Sequence, residues 1–178
     1  MERRGVKEVY DGLRILLKKG IEERENSKGK IIARLEEKKF CFISSIHGVK
    51  LESSENWKYK IILGILWSSL ARYYFFLTTS NWGNWHHEIH LEDEFMQLPV
   101  CFPASSSLRN RIVNIVDRLR LSSTDETSDM FHYEKNQNTL TGKEITELER
   151  KLDNAIFELY KLSNAEIDLI KDMCEVIL

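Results

Sequence analysis

The chain has 178 residues, of which 42% are hydrophobic and 30% charged, with eight glycines and two prolines. That suits one compact globular domain with a small appendage and argues against a low-complexity or disordered chain. The formal net charge is only −2 but is unevenly spread: residues 1–80 hold 16 Lys and Arg against 10 Asp and Glu, whereas residues 81–178 hold 10 against 18. The first half can therefore attract phosphate and the second cannot.

The N-terminal "MERRGVKEVYDG" has no apolar core, so no secretory signal is expected. "LRILLKKGI", residues 13–21, is short and apolar with a basic end and reads as a strand. "ENSKGK", residues 25–30, is a loop of turn formers. In residues 31–51, Ile32, Arg34 and Glu36 alternate with Ile31, Ala33 and Leu35, and "FCFISSI" alternates aromatics with small residues, which predicts two more strands with Gly48 in the turn after Ile46. A small, mostly antiparallel sheet is expected.

From Trp57 the period changes. Ile61, Ile62, Ile65, Leu66, Leu70, Tyr73, Tyr74 and Leu77 recur at steps of three and four, predicting one long helix, apolar over much of its circumference and central to the core. Trp67, Tyr73, Tyr74, Phe75 and Phe76 read as core at that spacing. The run is interrupted by Ser68, Ser69 and Arg72, so a buried helix is the reading, not a membrane span. "TTSNWGN" ends it, and His87, Ile89 and Leu91 then alternate with Glu88, His90 and Glu92 as in a strand. "QLPVCFP" is extended, as Pro99 and Pro103 require.

"SSSLRNRIVNIVDRLRL" is a helix capped near Ser105, with Leu108, Ile112, Ile115, Val116 and Leu119 as its stripe, and "SSTDETSDMFHYEKNQN" is a polar connector. Thr141 with Glu144 and Ser163 with Glu166 have capping-box spacing, and Ile145, Leu148, Leu152, Ile156, Leu159 and Leu162 form the apolar face between them. The fold class expected is α+β: a small sheet packed on a central apolar helix in residues 1–121, a connector in 122–140, and a C-terminal helical hairpin in 141–178.

Chemistry-bearing motifs are few. Cys41, Cys101 and Cys174 are odd in number and never paired as CxxC, which argues against a disulfide framework or cysteine zinc site and predicts buried free thiols in a reducing cytosol. Cys41 sits between two Phe, an apolar setting that does not suit a reactive thiol. In "SNWGNWHHEIHLEDEF", residues 80–95, His87-Glu88-Ile89-His90 is one residue short of the H-E-x-x-H that places two imidazoles on one helix face, and on a strand His86 and His90 would face away from His87. Glu36, Glu37 and Lys39 resemble the E-x-K arm of a metal-dependent nuclease, but the only earlier Asp is Asp11, in a turn. Ser44 and Ser45 lie in no nucleophile elbow. No metal and no cofactor site is expected.

The order of pieces is more informative. "VYDGLRILLKKGI", "GKIIARLEEKKFCFISSIHGVKL", "LGILWSSLARYYFFLT" followed by "SNWG", "EIHLEDEFMQLPV" and the tail "AIFELYKLSNAEIDLI" run in one sequence. This order resembles the C-terminal target-recognition region of Taq-like adenine-specific DNA methyltransferases, which also occurs in fused type II restriction–modification enzymes and is similar to type I specificity subunits. The resemblance implies recognition of a short DNA sequence in a cleft shared with a separate catalytic domain. The chain lacks a Pro-Pro pair and a GxG after a strand, so it has neither that family's S-adenosylmethionine loop nor its base-flipping motif.

A DNA-binding set follows. Arg14, Lys18, Lys19, Arg24, Lys28, Lys30 and Arg34 flank one loop and two strands and are candidates to neutralise phosphates. Asn26 and Lys28 on that loop, and Asn81, Trp82, Asn84, His86 and His87 on the second, are candidates to reach base edges. The partners expected are duplex DNA and a methyltransferase domain or subunit, in the cytoplasm and away from membranes. The alternative is a protein-interaction module acting through the C-terminal hairpin.

Overall fold

The structure is a computed structural model and describes residues 7–20, 30–39, 41–79, 92–123 and 140–177. Among these residues the sheet has three strands, β1 (Arg14–Lys18), β2 (Ala33–Glu36) and β3 (Ile46–Val49), ordered β2-β1-β3 and antiparallel throughout. Side chains alternate between faces along a strand. Ile15, Leu17, Ala33 and Leu35 thus turn inward and are buried, while Arg14, Leu16, Lys18, Arg34 and Glu36 share the outer face.

Part of that outer face is covered as well. Gly48 stands opposite Leu16, and a Cβ on it would lie 2.2 Å from Val9 Cγ1 and 2.7 Å from Phe42 Cζ. Val9 belongs to a 3-10 turn, Lys7–Tyr10, and Tyr10 packs on Phe42 with ring centroids 4.8 Å apart. This corrects the third strand. Of the described part of "FCFISSI" only Ile46 belongs to it: residues 41–43 have no regular structure, Ser44 and Ser45 turn, and Gly48 pairs inside β3 instead of turning after Ile46. Phe42 serves as a lid on the outer face, and only glycine at 48 leaves room for it.

The long apolar segment is two helices, α1 (Asn56–Trp67) and α2 (Ser69–Thr78), bent by 66°. Ser68 is extended between them. Its hydroxyl donates to Ile65 O at 2.6 Å and accepts from Ala71 N, so one side chain closes α1 and caps α2. Asp153, far along the chain, accepts from both Ser69 N and Ser69 Oγ, at 2.8 and 2.6 Å. Apolar periodicity runs across the break because both helices bury apolar faces; the polar Ser-Ser pair carries the bend.

Six consecutive residues of α1, Ile61 to Leu66, are buried. The reason is its position: β1 and β2 pack on one side, α3 (Ser106–Ser123) and α4 (Gly142–Tyr160) on the other. Gly64 marks the closest approach, since a Cβ there would lie 3.1 to 3.3 Å from Val116, Ile112 and Leu152. Trp67 anchors the far end of α1 by donating from Nε1 to Ala33 O of β2. Of the aromatics expected in the core, Phe75 is fully buried, and Trp67, Tyr73 and Tyr74 are partly buried against apolar clusters.

Both capping boxes are formed. Glu144 Oε2 accepts from Thr141 N at 2.8 Å and Glu166 Oε2 from Ser163 N at 2.7 Å, while each hydroxyl accepts from the backbone three residues on. α4 ends at Lys161 in a left-handed conformation, and α5 (Asn164–Asp172) follows, extended by a π-helical turn, Met173–Ile177. Leu148, Leu152, Ala155 and Ile156 of α4 join the same core as α1 and α3. The architecture is therefore α+β with C-terminal helices, as the sequence predicts. Among the described residues no single helix is long and apolar enough to cross a membrane.

The thiols divide. Cys174 is buried among Phe157 and Ile170, and burial pushes its pKa up to about 11. Cys41 and Cys101 are exposed, against the expectation that all three are buried.

Candidate nucleic-acid interface

The described cations of the candidate set do not share one surface. Arg14 is not on the surface at all: it is 0% exposed, and its guanidinium donates to Gly12 O at 2.7 Å and Lys38 O at 2.6 Å. A planar fork of donors suits two carbonyls in adjoining turns. Arg14 holds the turn before β1 to the turn after β2, so its phosphate role does not survive its burial.

Glu36, opposite Arg14, closes the same corner. Its Oε1 accepts from Glu37 N and Lys38 N at 2.9 and 2.8 Å, and its Oε2 meets Arg34 at 3.2 Å. Burial alone would raise its pKa, but those N–H groups and the two guanidinium charges outweigh it and hold it low. Asp11 pairs with Lys39 at 3.3 Å. The E-x-K residues are thus turn and ion-pair groups, and no three His, Cys, Asp or Glu converge on a metal-sized site among the described residues.

At the opposite end, Lys18 is exposed on the outer face and Lys19 is partly exposed beyond the strand. Their backbone N–H groups bond Ile32 O and Ser45 O, both at 2.9 Å, which fixes where the chain leaves β1. Arg34, diagonal to Lys18 across the β1–β2 pair, is exposed on the same face. Cross-strand diagonals are about 7–8 Å apart, so one phosphate run could meet both. Lys30 leads into β2 and is held by Glu149 of α4 at 2.7 Å. The structure therefore gathers Lys18, Lys19, Lys30 and Arg34 around the end of the sheet where β1 stops and β2 begins. Arg24, Asn26, Lys28, Asn81, Trp82, Asn84, His86 and His87 lie outside the described residues, as do the strand expected at 87–91 and most of the 122–140 connector.

Sequence reasoning missed a second group of cations. Arg111 and Arg118 of α3 and Lys151 of α4 line a groove of about 440 Å³ with Asn114 and Asn154, although their half of the chain is acidic overall. The seven-residue spacing of Arg111 and Arg118, two helical turns, was the available signal.

No protein-family model and no curated protein matches the sequence. Among solved structures, the chain is similar to the type IIL restriction-modification enzyme MmeI, determined in complex with DNA, with a TM-score of 0.60 and 15% identity over 89% of this chain. The chain spans 20% of that enzyme's length. The likeness establishes a shared fold.

Proposed function

We propose that this chain is a target-recognition domain that binds duplex DNA in a sequence-dependent way, within a restriction–modification system whose adenine methyltransferase activity resides elsewhere. The observation that carries the reading is the fold shared, over nearly all of this chain, with part of a restriction-modification enzyme determined with DNA. The ordered sequence resemblance to Taq-like recognition regions supports the same assignment. The end of the sheet bearing Lys18, Lys19 and Arg34 supplies phosphate contacts, and residues 21–29 and 80–91 supply the side chains that choose bases. The catalytic partner supplies S-adenosylmethionine and the pocket for the flipped adenine. The system works in the cytoplasm.

The test is a titration with random-sequence duplexes at rising salt. Binding is expected to weaken linearly in log–log form, with a slope set by the phosphates neutralised, and selection from the pool is expected to enrich one short sequence. Failure to bind any duplex at low salt, alone or with an adenine methyltransferase subunit present, removes the reading.

A further inference from the structure

We infer that the α3–α4 groove is a docking site for an acidic amphipathic helix of a partner polypeptide. The two helices run antiparallel: Arg111 pairs with Glu158 at one end, and Arg118 at the other lies close enough to Glu144 to lower its pKa. Between them the groove extends over two turns of each helix, roughly 10 Å. Its floor is Ile115 and Ala155, both buried beside it, and Ala155 is small enough to leave room for an incoming side chain.

Charge and periodicity specify the occupant. Arg118 has Glu144 near it but forms no close ion pair among the described residues, and Lys151 meets Glu147 at 3.3 Å, with both of that pair's side chains about half exposed. The α3 rim reads Arg111, Asn114, Arg118 and the α4 rim Lys151, Asn154, Glu158, each at steps of three and four. A helix lying along the groove presents the same steps, so an apolar stripe fits the floor while carboxylates on its flank meet Arg118, Lys151 and the two carboxamides.

A phosphate backbone fits less well. It gains nothing from an apolar floor and meets the Glu158 carboxylate. The groove also opens on the wrong flank of α4. Glu149, which holds Lys30 beside the basic end of the sheet, is about half a turn around the helix from Lys151 and Glu158. The groove therefore faces away from the surface proposed for DNA, and its use by a polypeptide stands independently of that proposal.

The probe is a synthetic helical peptide with leucines at steps of three and four flanked by glutamates, together with matched peptides carrying glutamine or lysine at the flanks. The full chain, labelled with ¹⁵N, is titrated with each, and separately with a duplex. Saturable shifts of the Asn114 and Asn154 side-chain amides are expected with the glutamate peptide, at least tenfold tighter than with the glutamine peptide. Combining Arg118→Glu with Lys151→Glu is expected to reverse the preference toward the lysine peptide while duplex affinity stays unchanged; circular dichroism confirms that this variant is folded. Equal binding of the glutamate and glutamine peptides, absence of saturable binding, or displacement of the peptide by duplex at these amides would overturn the inference.

Discussion

The two cationic surfaces of this molecule are built in opposite ways. On the sheet side, basic residues crowd within 21 positions of one another, yet the fold withdraws Arg14 altogether, burying it on two carbonyls, and ties Lys30 to Glu149. On the helical side, cations are scattered from residue 111 to 151, and the fold assembles them on two rigid rods over a common core. Density of charge along a chain is therefore a poor guide to charge presented at a surface. Rigid elements concentrate it; turns and caps use it up.

Removing the shared support should break both surfaces together. Leu152, 1% exposed, contacts the helical side and lies within van der Waals reach of position 64 in α1. Leu152→Ala is expected to cost about 2–5 kcal/mol in denaturant unfolding and to weaken DNA and peptide binding alike. Gly48→Ala separates them. It forces apart Val9, Phe42 and β3, with an expected cost of about 1–3 kcal/mol, and should loosen the outer face while leaving the groove's peptide affinity intact. Amide exchange should rise in residues 7–10 and 41–49 and not in α3 or α4.

Smaller effects sharpen the contrast. Lys18→Ala and Lys19→Ala are each expected to reduce the slope of log affinity for duplex against log salt by about one, without changing sequence preference. Neither should alter peptide binding. The smallest effect is an acid one confined to the helical side. The Thr141 backbone N–H and hydroxyl hold Glu144 below its usual 4.5, and the Ser163 hydroxyl and N–H do the same for Glu166. Folded pKa values below the unfolded ones mean stability that is present above pH 4.5 and lost as pH falls through the folded values. Glu144→Gln together with Glu166→Gln should flatten that loss, measured as thermal midpoint between pH 6 and pH 3.

Local signals were the legible ones. Both capping boxes, the apolar α1, the α3 stripe and the first two strands could be read because each is set by residues within a few positions of one another. What escaped depended on distant partners. The break at Ser68 is completed by Asp153, 84 residues from Ser69, and the register of β3 is set by Val9 and Phe42 crowding Gly48. Arg14 looked like its exposed neighbours because nothing nearby in sequence reveals carbonyls at Gly12 and Lys38 converging on it. The groove was hidden by the acidic average of the half that carries it.

The Asp153 clamp on Ser69 has a consequence for how the molecule acquires its shape. The direction in which α2 departs from α1, and hence where the chain sets out toward residue 80, is secured by a carboxylate on a helix made much later in synthesis. Burial raises the pKa of that carboxylate, and the two Ser69 donors offset the cost of keeping it there. A nascent chain that has emerged only as far as residue 140 carries the sequence of the sheet, α1 and α3 but no latch for the elbow. The direction of α2 is thus the last thing the polypeptide learns, and a truncation before residue 153 would leave the elbow at Ser68 without its clamp.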